Sequence, residues 1–180
     1  IHTADPAIKH LPFAPSAHRL VTYASDQTWS VWDTDRGTRI VRSGGAMATG
    51  PVAFFPDDDH VAIAEAGGVA LCDAQDSRVI QEVPLGGHIL CMDAAPEGPT
   101  LAVGSDSATL TLLDKTLTMT ASKTATLTNA GTEALKSRPY AVGAVYDAHF
   151  APPVAGKTDA PRNVLFVDDY GFWEWDLAAD

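Results

Sequence analysis

Apolar residues in this chain come in short bursts divided by turns rich in Gly, Pro, Asp and Ser, and no stretch sustains the 3.6-residue period of a long amphipathic helix. Such a pattern predicts β-strands. The first group reads as a strand from Ile8 to Phe13, a corner at Pro15, a strand from Arg19 to Ala24, a tight turn at Ser25-Asp26-Gln27, a strand from Thr28 to Trp32 and an outer strand at Arg39 to Val41. A second group places Pro51 to Phe55, His60 to Ala64, Val69 to Leu71 and Arg78 to Val83 in the same four positions, with turns at Asp57-Asp58-Asp59 and Gly67-Gly68. A third uses Ile89 to Asp93, Thr100 to Gly104, Thr109 to Leu113 and a strand within Thr116 to Thr128. Runs such as Val61-Ala62-Ile63-Ala64 and Leu101-Ala102-Val103 are apolar at every position, as strands covered on both faces require.

These groups repeat a common sentence. The stretch from Phe13 to Trp32-Asp33 is echoed by Phe55-Pro56 leading to Leu71-Cys72-Asp73, by Ala95-Pro96 leading to Leu112-Leu113-Asp114, and by Ala151-Pro152 leading to Glu174-Trp175-Asp176. The closing aspartates Asp33, Asp73, Asp114 and Asp176 are spaced by 40, 41 and 62 residues. A period of roughly 40 to 45 closed by Trp-Asp belongs to the four-stranded propeller blade. On these residues the chain resembles the WD40-repeat family. Asp26-Gln27-Thr28 with Trp32-Asp33 fits the family's turn and closing dipeptide, and Trp175-Asp176 repeats it, while Cys72 and Leu113 stand where the tryptophan is expected.

The resemblance implies an all-β fold, a WD40-like β-propeller segment of about four four-stranded antiparallel blades. They would span residues 8–42, 50–84, 87–128 and, after an insertion at 129–139, an incomplete fourth at 140–178. Complete propellers have typically 4 to 8 blades. The fourth unit stops after its third strand, Ile1 to Thr3 makes a poor closing strand, and no methionine precedes Ile1. The expectation is therefore an excerpt of a larger, seven-blade-type ring, with a small closed four-bladed ring as the alternative. The resemblance further implies structural roles. Asp26, Thr22 and Trp32 would form a buried hydrogen-bonded group, His88 after Gly87 would bond the turn residue Asp106, and Asp33, Trp175 and Asp176 would close their blades. It specifies a fold and no activity.

The period breaks twice. Gly131 to Pro139 interrupts it, with Thr132 to Lys136 able to form one capped helical turn before Pro139. The fourth unit resumes at Val142 to Phe150, makes a Pro-rich excursion from Pro152 to Arg162, and returns through Val164 to Val167, a turn at Asp168 to Gly171 and Phe172 to Trp175. Loops lengthened in one unit only are places where a repeat protein acquires its own partner.

Composition narrows the function classes. At 180 residues and 46% apolar content the chain can bury a sizeable core. With 12 Lys plus Arg against 23 Asp plus Glu the net charge is -11, which disfavours a nucleic-acid backbone and favours a basic, Lys- or Arg-rich partner. No apolar run approaches the roughly 20 residues of a membrane helix, and IHTADPAIKH has no apolar signal segment. Cys72 and Cys91 lie in apolar strands and read as small buried hydrophobes, with a disulfide between neighbouring blades as the competing reading. With no Asn-x-Ser/Thr acceptor present, an intracellular location, cytoplasmic or nuclear, is expected.

Candidate chemistry is sparse. Ala155-Gly156-Lys157-Thr158 ends like a phosphate loop, but Ala151 occupies the place of its first glycine and Asp159-Ala160-Pro161 follows where a helix is needed. His2, His10, His18, His60, His88 and His149 show no metal-ligand spacing, and Asp57-Asp58-Asp59 lacks that of a calcium loop. No catalytic set, cofactor or metal site is expected. One surface feature remains: in WD40 propellers the turns between second and third strands open on one face of the disc. Here they carry Asp26, Glu65, Asp106, Asp168 and Asp169 with Tyr170, and no Lys or Arg. These residues are the expected partner-binding set, with Phe172 and Trp173 as further aromatic candidates; Trp173 and Trp175 share a side of their strand, so at least one belongs to the core. The expected role is a non-catalytic scaffold within an intracellular multiprotein complex. The alternative is a ligand-binding or enzymatic propeller with a polar site at the central axis.

Overall fold

The computed structural model describes residues 7–14, 16, 18–43, 48–95, 101–107, 109–124, 144–151, 163–168 and 171–176. Among them the regular structure is β throughout. The first sheet contains β1 (Ile8–His10), β2 (Arg19–Ala24), β3 (Trp29–Asp33) and β4 (Thr38–Arg42), hydrogen-bonded in that order. The second repeats the plan with β5 (Val52–Phe54), β6 (His60–Glu65), β7 (Gly68–Asp73) and β8 (Val79–Pro84). The third uses β9 (Ile89–Ala94), β10 (Leu101–Ser105), β11 (Thr109–Leu113) and β12 (Met119–Thr124). The fourth has three strands, β13 (Asp147–Phe150), β14 (Asn163–Asp168) and β15 (Gly171–Asp176). Every pairing is antiparallel.

Strand alternation decides how the sheets meet. Val21, Tyr23, Trp29 and Val31 turn one face of the first sheet onto Val52, Phe54, Val61 and Ile63 of the second. The intervening residues Ala53, Phe55, Ala62, Ala64, Val69 and Leu71 turn the other face of the second sheet onto Met92, Leu101, Val103 and Leu113 of the third. Cys91, Ala102, Leu110 and Leu112 then meet Ala148, Phe150, Val164, Phe166 and Trp175 of the fourth. The sheets therefore stack face to face in chain order, and the second and third are covered on both sides. This is why their strands lack polar alternation. Full burial of a large aliphatic side chain stabilises by about 1.5–3 kcal/mol, and Ile63, Leu101, Leu110 and Leu113 are all below 2% exposed.

The repeated aspartate has a local cause. Asp33 Oδ1 accepts the Arg36 N–H at 2.8 Å, Asp73 Oδ1 that of Gln75 at 2.7 Å, and Asp114 Oδ1 those of Thr116 and Thr118 at 2.8 and 2.9 Å. Each carboxylate shapes the turn from the third strand to the fourth by satisfying its free donors. Just before each aspartate the ladder to the fourth strand shifts register, between Val31 and Trp32, Leu71 and Cys72, and Leu112 and Leu113. The sequence repeat is thus a repeat of one turn and one bulge.

Several expected boundaries move. The first strand ends at His10 rather than Phe13, because its register with β2 is irregular and Phe13 retains only an isolated bridge to Leu20. The strand expected from Val142 begins at Asp147, with residues 144–146 as an irregular lead-in. The turn at Asp57-Asp58-Asp59 also holds the neighbouring sheet. Arg19 Nη1 crosses from the first sheet to donate to the Asp58 carbonyl at 2.6 Å and lies 3.4 Å from Asp59 Oδ1. Cys72 and Cys91 are free, buried thiols in separate clusters, each pushed up to about 12 chiefly by burial. Trp175 is a core residue. The insertions at 129–139 and 152–162, including the phosphate-loop-like string, lie outside the described residues. Among those described, no helix is long and apolar enough to cross a membrane.

Candidate acidic turn face

In the first three sheets the turns from second to third strands gather at one end of the stack because the connections between sheets bind them there. Between β4 and β5, Ser43 exchanges hydrogen bonds with the Trp29 backbone, Ala48 O accepts from the Tyr23 hydroxyl at 3.2 Å, and Thr49 donates to Ala64 O at 2.8 Å. Between β8 and β9, Leu85 and Gly86 donate to Gly67 O at 2.9 and 3.0 Å, and His88 meets the Asp106 turn. Val145, ahead of β13, donates to Ser105 O at 2.9 Å. The first two connectors so tie the turns of the first three sheets into a common rim, and the third reaches the end of β10.

On this rim the expected carboxylates have unequal roles. Asp26 is exposed and does not join a buried group with Thr22 and Trp32. Its Oδ1 accepts the Thr28 hydroxyl at 2.8 Å and the Thr28 N–H at 3.1 Å, and its Oδ2 pairs with Arg42 Nη2 at 2.8 Å. The Thr28 hydroxyl first, and also Arg42, hold its carboxyl below the ordinary range. The turn itself carries no Lys or Arg, but the β3–β4 register places Arg42 of β4 opposite Ser30 and within reach of Asp26, so this carboxylate is paired. Trp32 Nε1 donates to Thr22 Oγ1 at 3.0 Å, so that part of the group is present without the aspartate.

Asp106 is also spent internally. Its Oδ1 accepts from the backbone N–H of His88 at 2.8 Å, and its own N–H donates to His88 O at 3.0 Å. The contact joins the expected pair of residues through the main chain, while the His88 ring is exposed. Gly87 makes it possible. Its φ is +69°, in the left-handed region that favours glycine, and a Cβ there would sit 2.5 Å from Asp106 Oδ1.

Glu65 differs from both. It is the last residue of β6, not a turn residue, and is half-buried. Burial first, and then repulsion from Glu82, raise its carboxyl above the ordinary value. Glu82 lies on β8 opposite Ala70, a position sequence reading passed over because the two glutamates are separated by β7. The signal that could have found it is registry: Glu65 pairs with Gly68, and Gly68 with Pro84, two residues from Glu82. Asp168 ends β14 opposite Gly171, and Asp169 and Tyr170 lie outside the described residues.

A second polar group joins the third and fourth sheets. Asp93 Oδ2 accepts the Phe150 N–H at 2.9 Å and lies 3.5 Å from His149 Nδ1, while His149 Nε2 is 3.1 Å from Asp147 Oδ1. Among the described residues no group of three or more His, Cys, Asp or Glu is arranged to hold a metal ion. No protein-family model matches the chain, and no curated protein matches it.

Proposed function

We propose that the chain is a WD40-like propeller segment, part of a larger ring, that acts as a non-catalytic scaffold binding a basic protein segment within a multiprotein complex. Support for the propeller reading comes from the face-to-face stacking of sheets built on one plan, the third strand of each of the first three sheets being closed by the same bulge and aspartate turn. The observation that carries the partner reading is the Glu65–Glu82 repulsion. Burial first, and then the charge of exposed Glu82, disfavour the ionised carboxyl of Glu65, and among the described residues no ion pair involves either glutamate. A lysine or arginine arriving there relieves that cost, whereas Asp26 and Asp106 already have partners. Asp168, Asp169 and Tyr170 belong to the same proposed partner-binding set.

Such a site governs association more than raw affinity, because complementary charge steers encounter. Binding of a Lys/Arg-rich peptide to the full chain should slow when Glu65 and Glu82 are both changed to Gln, and its salt dependence should flatten. An association rate unmoved by the double change would sink the basic-partner reading. The alternative of a polar ligand site draws on Asp93, His149 and Asp147, which the first strands β9 and β13 bring together. Those groups are engaged with one another and with the Phe150 N–H, which favours a structural role.

A further inference from the structure

His149 stands between carboxylates belonging to two sheets. Asp93 comes from β9 of the third, and Asp147 and His149 come from β13 of the fourth. The ring nitrogens face them separately, Nδ1 at 3.5 Å from Asp93 Oδ2 and Nε2 at 3.1 Å from Asp147 Oδ1. A neutral imidazole has one N–H and can donate to only one of these oxygens, whereas the imidazolium has two and serves both. We infer that His149 is a proton-operated tie between the third and fourth sheets, linking Asp93 to Asp147 when protonated and releasing one of them when neutral.

The surroundings favour this reading. The titratable groups near the ring are Cys91 and Asp93 on β9, Asp147 on β13 and Glu174 on β15, which shares Leu165 as a strand partner with His149. The other residues in that register on the third sheet, Ala102, Gly104, Leu110, Leu112 and Ala121, carry no charge, and Lys123 lies further out, opposite Leu110 on β12. Cys91 stays a neutral thiol, so the imidazolium is the cation that stands directly between Asp93 and Asp147. Asp93 gives the tie its leverage. Burial raises its carboxyl above the ordinary 3.8, opposed by the Phe150 N–H and then by the His149 charge. An acid whose folded pKa is raised loses stability as pH climbs from its unfolded value, and discharge of His149 removes one of the groups that offset that loss. Loss of the imidazolium charge therefore weakens the junction as pH rises through the range of about 5 to 8 where imidazoles discharge.

The Phe150 amide reports the tie directly, because its N–H is bonded to Asp93. Hydrogen exchange on the full chain, corrected for the intrinsic pH dependence of exchange, should show its protection falling about threefold to tenfold between about pH 5.5 and about pH 7.5. The size is modest because His149 and Asp147 are more than half exposed and solvent screens them. In His149→Gln the drop should vanish, and in Asp147→Asn it should shrink. Unchanged Phe150 protection across that range in the unaltered protein overturns the inference, whether or not either variant folds. So does a His149→Gln protein that keeps the full drop.

Discussion

The Trp32 indole N–H donates to the Thr22 hydroxyl at 3.0 Å across the β2–β3 hairpin, on the face of the first sheet turned away from the second. Thr22 in turn reaches the Ser30 carbonyl at 3.5 Å, and Arg39 lies over the indole at 5.5 Å. Trp32 is 7% exposed, so its polar edge needs a partner where water is excluded. Trp32→Phe keeps most of the packing and removes the donor, and should cost about 1 kcal/mol. Trp32→Ala should cost about 3–5 kcal/mol, as for a large aromatic removed from a core. Denaturant unfolding measures both. A Trp32→Ala protein with wild-type stability and lost binding would make Trp32 a contact residue instead.

The strands of the first three sheets are legible in sequence because apolar bursts and turn residues mark them locally. The closing aspartates are legible as a rhythm for the same reason, since each acts on donors two to four residues away. What escapes sequence reading is set by registry and by stacking. Arg42 reaches Asp26 only because a bulge in the β3–β4 ladder puts it opposite Ser30. Glu82 faces Glu65 across an intervening strand, and Asp93 meets His149 between sheets, 56 positions on in the chain, beside the Phe150 contact. The His88 position is legible while its chemistry is not, because Gly87 brings the main chain rather than the ring to Asp106.

Gly104 marks the closest approach of the third sheet to the segment leading into β13. A Cβ there would meet Cys91 Sγ at 2.5 Å and Val145 Cγ1 at 2.6 Å. Gly104→Ala should therefore destabilise by about 1–3 kcal/mol through overpacking. Cys91→Ala removes one of the two obstructing atoms, so Gly104→Ala combined with Cys91→Ala should be less destabilised than the sum of the single changes. Strict additivity in thermal or denaturant unfolding would show that Cys91 is not the obstruction.

The two thiols provide a chemical test of the stacking. Burial pushes both Cys72 and Cys91 up to about 12, and the thiolate is the reactive form. Under native conditions near neutral pH an aromatic disulfide reagent should leave both unmodified on a timescale of minutes, and both should react at once in denaturant. Prompt native reaction at Cys72 would mean that the first and second sheets part readily, and at Cys91 that the third and fourth do.

Glu65 carries the last prediction. Its folded pKa is raised above the ordinary 4.5, by burial and then by Glu82, so the folded protein holds its proton more tightly than the unfolded chain does. The contribution is therefore favourable at low pH and is lost as pH rises from 4.5 through the folded value, leaving a repelling pair at neutral pH. Glu82→Gln removes the repulsion while keeping the side chain's length. It should raise stability at neutral pH by about 0.2–1 kcal/mol, the range of charge pairs across strands, with a smaller gain below the folded pKa of Glu65. Raised salt should shrink the difference, since Glu82 is exposed and its field is screened. Thermal unfolding of the two proteins at matched pH and salt reads the comparison. A Glu82→Gln protein no more stable than its parent at neutral pH and low salt would show that the glutamates do not repel, and the reason for a cation to dock beside them would go with it.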